Sequence, residues 1–206
     1  MRARVAEFAL GAGAALVNDV SGGLADPDIP RLVAAAGVSY VVVHWRGHSR
    51  DMYARAVYAD VVTEVRDELA KRVDAVVHAG VDPRNVVLDP GLGFGKQPEH
   101  NWPLLARLSE LGTLAGGTFP VLVGASRKGF IGKLLAAAAG NEPGNEPGNE
   151  PGNEQGLPGT LADRDQATVA VTALAAAAGA WCVRVHLVPP NADAVQVAAA
   201  WRRASR

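Results

Sequence analysis

Short apolar runs rich in β-branched residues alternate along the chain with longer stretches of helical spacing, and each run stops at a polar or glycine-rich turn. Ala15-Leu16-Val17 is the first predicted strand, closing at Asn18-Asp19-Val20-Ser21-Gly22-Gly23. Tyr40-Val41-Val42-Val43 is the second and ends in His44-Trp45-Arg46-Gly47. Val86-Val87-Leu88 is the third, halted by Asp89-Pro90 and the glycines that follow. Val121-Leu122-Val123 runs into Gly124-Ala125-Ser126-Arg127-Lys128-Gly129, and Trp181 to His186 forms the fifth. Helices are predicted between them. The first is the opening stretch, where Val5, Phe8 and Ala9 share a face although Met1-Arg2-Ala3 offers no cap. The others run from Asp26-Pro27 to Ala36, from Val57 to Ala79 with Gly80 as C-cap, from Trp102 to Leu111, from Phe130 to Ala139, from Asp163 to Ala178, and from Ala192 to Arg203.

Strands alternating with helices at this spacing predict an α/β fold with a parallel sheet. A polar residue stands at or beyond the end of each strand: Asn18, His44, Asp89, Lys128, then Arg184 and His186. A doubly wound sheet needs ligand residues at its switch point, whereas every strand end of a (β/α) barrel faces one central site. The pattern therefore favours a barrel, read as a single domain over residues 1–206. Residues 140–155 interrupt it, repeating Gly-Asn-Glu-Pro and closing on Gly-Asn-Glu-Gln. Such a tract buries no apolar area and its prolines oppose a helix, so a disordered acidic loop, dispensable for folding, is predicted there.

Composition narrows the partners. A formal net charge of −1 over 206 residues lacks the basic excess of a nucleic-acid or anionic-membrane surface. A small, neutral-to-acidic ligand fits better. The single cysteine, Cys182, lies between apolar neighbours and is expected to be a buried, inert thiol. With neither a secretory leader pattern nor an apolar run of membrane-spanning length, a cytoplasmic location is expected.

The densest chemistry lies in Val86 to Lys96. Asp89 at the carboxyl end of a strand is placed either to face a ligand or to cap a plain strand-to-helix turn. The glycines fit neither Gly-x-Gly-x-x-Gly nor a Walker loop, and Lys96 leads into Gln97-Pro98. Asn18 is readable as an Asx turn, Arg184 as the partner of an acid, and Trp45 as core or as a stacking platform.

Four segments occur in this order on successive strands: Asn18 to Gly23, Asp89-Pro90-Gly91-Leu92-Gly93-Phe94-Gly95-Lys96, Ser126-Arg127-Lys128-Gly129-Phe130-Ile131-Gly132 and Arg184-Val185-His186. Together they resemble the signature of dihydropteroate synthase. His44-Trp45-Arg46 and His100-Asn101-Trp102 resemble its actinobacterial form. The resemblance implies a TIM (β/α)8 barrel that condenses 4-aminobenzoate with 6-hydroxymethyl-7,8-dihydropterin diphosphate, in folate biosynthesis. It further implies that Asp89 and Asn18 hold the pterin's aminopyrimidinone edge and that Lys128 binds its carbonyl and N5. Arg184 and His186, expected to point inward from one strand, would hold the diphosphate. Phe94, Ser126 and the amides near Gly129 would receive the aminobenzoate. Lys128 and Asp89 are the residues expected to act on the reacting pterin. Leu187 departs from the Asp that many relatives carry after Arg-x-His.

A complete relative has about three more strands ahead of the one ending in Asn18, carrying the Asn that binds Mg2+, two mobile loops, and an Asp and a Thr of the pterin and diphosphate sites. The chain is accordingly expected to be the carboxyl-terminal part of such an enzyme, about five of the eight β/α units, with no metal ligand of its own. Its first and last strands would then be exposed edges prone to pairing with other chains. A homodimer is implied for the full-length form. Two other readings remain open: an inactive pterin-binding remnant, and a pterin-binding methyltransferase-like barrel, against which Ser-Arg-Lys and Arg-x-His speak.

Overall fold

The computed structural model describes residues 2–48, 50–140 and 161–205. Its parallel strands are β1 (Leu16–Asp19), β2 (Ser39–Val43), β3 (Val86–Asp89), β6 (Leu122–Val123) and β7 (Cys182–Val183); β4 (Thr113–Leu114) and β5 (Gly117–Thr118) form a small antiparallel hairpin. The helices are α1 (Ala3–Gly11), α2 (Asp28–Ala36), α3 (Val61–His78), α4 (Pro98–Ala106), α5 (Leu108–Leu111), α6 (Gly129–Ala138), α7 (Leu161–Ala177) and α8 (Val188–Ala204).

β1, β2 and β3 pair in that order and β6 pairs with β7. The two sets meet where Leu88 N donates to Pro120 O at 2.8 Å and Leu88 bridges Val121. The parallel strands thus follow chain order without a reversal. Side chains on a strand alternate between faces, and the core divides accordingly. Tyr40, Val42, Val86, Leu88, Val121 and Val123 pack with Val65, Leu69 and Val76 of α3 and with Phe130 and Ile131 of α6 in one large cluster. Val41, Val43, Val87 and Leu122 form a second, smaller cluster with Cys182 against it, on the opposite face. Each large aliphatic side chain buried in this way contributes roughly 1.5–3 kcal/mol over its exposed state.

Local chemistry moves several predicted boundaries. α3 starts at Val61 rather than Val57, because the Asp60 carboxylate accepts from the amides of Val62 and Thr63 and so caps the helix there. The single helix predicted over Trp102–Leu111 is two: α4 begins at Pro98 with Gln97 and His100 capping each other, and the chain breaks at Arg107 before α5. α8 begins at Val188, where Pro189 and Pro190 occupy first-turn positions whose N–H would find no intrahelical acceptor in any case. β7 stops at Val183, so Arg184 and His186 lie beyond the strand and not on it; Arg184 N still donates to Val123 O at 2.9 Å, which extends the ladder by one bond.

Among the described residues β1 pairs with β2 and β7 with β6, and the neighbouring Leu16 and Trp181 are 38% and 54% exposed. The tract expected to be disordered falls, from residue 141 onward, outside the described residues. No helix among the described residues is long and apolar enough to cross a membrane.

Candidate active site

Strand register places the first two candidates on one face. Asn18 is level with Val41 and Asp89 with Val43, two residues apart on β2, so both follow the inner, smaller cluster. Cys182 shares that face, and the bond from Arg184 N to Val123 O keeps Arg184, two residues on, in the same alternation. Arg184 Nη1 donates to Asp89 Oδ2 at 2.8 Å and to Asn18 Oδ1 at 2.9 Å. One guanidinium therefore joins three predicted site residues. Asp89 is fully buried, and its other oxygen accepts from Gly91 N at 2.8 Å, whereas the Arg184 side chain is 39% exposed. The acid is fixed in a dry position and its cation can reach water. Gly124 makes room for this pair, since a Cβ there would collide with Arg184 Nη2.

Lys128 stands as the N-cap residue of α6, its Nζ 3.5 Å from the centroid of the Phe94 ring. That contact is a cation–π pair. Burial pushes the Lys128 ammonium down to about 8, the nearby Arg184 charge adds to the shift, and Asp89 opposes it. Ser126 is buried, and its Oγ takes a bond from His186 N at 3.2 Å and lies 3.0 Å from His186 Nδ1. The predicted residues thus form three linked groups at the carboxyl ends of the strands: Asn18–Arg184–Asp89, Phe94–Lys128 and Ser126–His186.

The turn carrying Ser126 and Lys128 is clamped by α7. Arg127 has a left-handed backbone, φ 60°. Its guanidinium meets Asp165 through Nε and Nη2 at 2.9 Å each, and Arg164 Nη1 donates to its carbonyl at 3.1 Å. The glycine turn after Asp89 is held as completely. Tyr53 and Tyr58 hydroxyls donate to the carbonyls of Gly93 and Gly95, Asn101 Oδ1 accepts from Gly93 N, and Lys96 Nζ lies 3.2 Å from both Gly91 O and Phe94 O.

Two of the open local readings resolve. Arg184 does pair with an acid, and that acid is Asp89. The Asx-type turn belongs to Asp19, not Asn18: its carboxylate accepts from Ser21 N, Gly23 N and the Tyr40 hydroxyl. Trp45 is half-buried, edge-on to His48. Cys182 is half-buried and desolvation raises its thiol. Sequence reasoning passed over Lys96, Glu68, Tyr53 and Tyr58. Lys96 had a signal, a lone cation directly after a glycine series, but nothing local showed that it is 2% exposed. Among the described residues no three His, Cys, Asp or Glu gather as a metal shell.

Comparison with known proteins adds the family dimension. The sequence profile of the family described as "Pterin binding enzyme" matches residues 1–186. The dihydropteroate synthase of Mycobacterium leprae (strain TN) is 49% identical over 204 residues, which is 98% of this chain and 65% of that protein. The chain thus spans just under two thirds of that relative's length. A crystal structure of dihydropteroate synthase from Thermus thermophilus in complex with 4-aminobenzoate superposes with a TM-score of 0.76 at 40% identity, covering 96% of this chain and 67% of that one. The same enzyme in complex with 6HMPPP gives 0.77 at 40% identity, covering 97% and 69%.

Proposed function

Since the chain belongs to the pterin binding enzyme family, we propose that it is a dihydropteroate synthase, its parallel strands being five consecutive units of a (β/α)8 barrel. The reaction is the condensation of 6-hydroxymethyl-7,8-dihydropterin diphosphate with 4-aminobenzoate to 7,8-dihydropteroate and diphosphate. The observation that carries it is the Asp89 carboxylate, fully buried at a strand's carboxyl end and paired with a half-exposed arginine.

An aminopyrimidinone edge offers adjacent N–H donors, and Asp89 can accept them in place of the guanidinium. Asn18, with one donor and one acceptor group, complements the same edge. Arg184 then turns toward the leaving diphosphate, where with His186 it stabilises the charge that grows as the C–O bond breaks. Lys128 supplies a positive donor to the ring carbonyl and N5. The arylamine nitrogen forms the new C–N bond to the pterin methylene carbon and loses a proton; the bonding pair of the broken C–O bond leaves with diphosphate. Phe94, Ser126 and the amide end of α6 receive the aminobenzoate ring and carboxylate. Magnesium is proposed only as an ion accompanying the diphosphate.

Cytoplasmic residence and a homodimer belong to the same proposal, the latter supported by Leu174, Val197 and Trp201, which α7 and α8 leave exposed. The test is diphosphate release measured with the pterin diphosphate, with and without 4-aminobenzoate. Release that requires both substrates supports the synthase. Pterin binding without release would reduce the reading to a binding protein, and no pterin binding would refute it.

A further inference from the structure

Beneath the glycine turn lies a charged chain that none of these substrate roles uses. The Lys96 ammonium is 2.9 Å from His44 Nδ1 and 3.2 Å from both Gly91 O and Phe94 O. It has three protons to give and three acceptors to receive them. His44, 1% exposed, turns its Nε2 to Glu68 Oε2 at 2.9 Å. A neutral imidazole has one N–H, the Glu68 carboxylate claims it, and Nδ1 is left to accept from Lys96. Desolvation, reinforced by the Lys96 charge, pushes His44 down to about 4, so the ring is neutral. Arg46 completes the series by binding both Glu68 oxygens from Nε. Donation therefore runs one way, from Lys96 through His44 to Glu68 on α3, and only the ammonium form of Lys96 can fill all three of its acceptors at once.

We propose that Lys96 is a positioning residue: as an ammonium it braces the Gly91–Phe94 turn, fixing where Asp89 and Phe94 stand toward the pterin and aryl ligands, and on losing its proton it gives up one of its three holds and loosens that turn. The ligand classes rest on the function proposed above; the brace itself does not. Lys96 is faced by Asp89 from β3, by His44 and Arg46 from the segment after β2, by Glu68 from α3 and by Lys128 from the segment before α6. Burial pushes it down to about 7, with Asp89 and Glu68 opposing and Arg46 and Lys128 adding. Between that value and the ordinary lysine range the unfolded chain binds more protons than the folded one. Global stability therefore rises with pH across this window. Order in the turn falls across the same window. A residue that merely filled space would not drive the two in opposite directions.

The experiment uses the full chain, Lys96→Met and Glu68→Gln, from about pH 6 to about pH 9. Amide hydrogen exchange of Gly91–Gly95, corrected for the intrinsic pH dependence, is read beside the melting temperature and the affinity for 6-hydroxymethylpterin. In the unsubstituted chain turn protection is expected to fall about tenfold through a midpoint near 7 while the melting temperature rises. Lys96→Met gives low, pH-independent protection, and any pH dependence left in its pterin affinity belongs to Lys128. Glu68→Gln, at a partly exposed site, moves the midpoint lower by removing a charge that favours the ammonium. Unsubstituted-level protection in Lys96→Met, or protection that ignores pH while stability follows it, overturns the brace. The predicted exchange without pterin binding keeps the brace and refutes the ligand reading.

Discussion

Replacing Asp89 with Asn separates the acid's role in folding from its role toward a ligand. The substitution is nearly isosteric, and the Asn carbonyl can keep the 2.8 Å bond from Gly91 N. What changes is the other side. An amide nitrogen would face Arg184 Nη1, which now sits 2.8 Å from Oδ2, and two donors cannot share that contact. Breaking a fully buried ion pair costs about 3–5 kcal/mol, chiefly because an uncompensated charge is left in a dry site. Here the surviving charge is Arg184, 39% exposed, and it can relax into solvent. The loss of stability is therefore discounted to about 1–2 kcal/mol. A pterin edge bound to the same carboxylate has no such escape, and losing a charge-assisted acceptor there costs about 3 kcal/mol, or roughly a hundredfold in affinity. Denaturant unfolding gives the first quantity and fluorescence titration with 6-hydroxymethylpterin the second. Unchanged pterin affinity in a folded Asp89→Asn protein would refute the reasoning, as would an affinity loss fully explained by the unfolded fraction.

Gly124→Ala is expected to leave the melting temperature within a few degrees, because the atom it strikes is the far end of a flexible Arg184 side chain, yet to weaken diphosphate binding about tenfold; calorimetric titration with inorganic diphosphate checks this. His44 governs an acid limb of stability. Its protonation is disfavoured in the fold, so the stability it contributes is complete above about 6.5 and is lost as pH falls toward about 4, on the order of 3 kcal/mol in all. His44→Gln should flatten unfolding curves measured across that window, and an unchanged slope would contradict the assignment.

The strands were legible because β-branched runs stopped by glycine and proline carry their own boundaries, and Asn18 and Asp89 could be placed on one face by period alone. The join between them was not legible. Arg184 reaches Asn18 across 166 residues and Asp89 across 95, and no local pattern encodes a contact of that span. The burial of Lys96 has no local signal, because its three acceptors are two loop carbonyls and a histidine 52 residues away. The β4–β5 hairpin escaped notice because strands of two residues carry no periodicity. Val57 extends the apolar spacing beyond the true start of α3, which the Asp60 cap decides.

The clamp between Arg127 and α7 bears on the repeated tract. Residues 140–155 are built of a four-residue unit, so the tract differs from a shorter or longer version of itself by whole units. Such a difference alters the length of chain between α6 and α7. The seat of α7 against the turn carrying Ser126 and Lys128 is set by side chains, Asp165 on Arg127 and Arg164 on its carbonyl, on the far side of that segment. Adding or removing units would therefore leave in place the contacts that set the turn carrying Ser126 and Lys128.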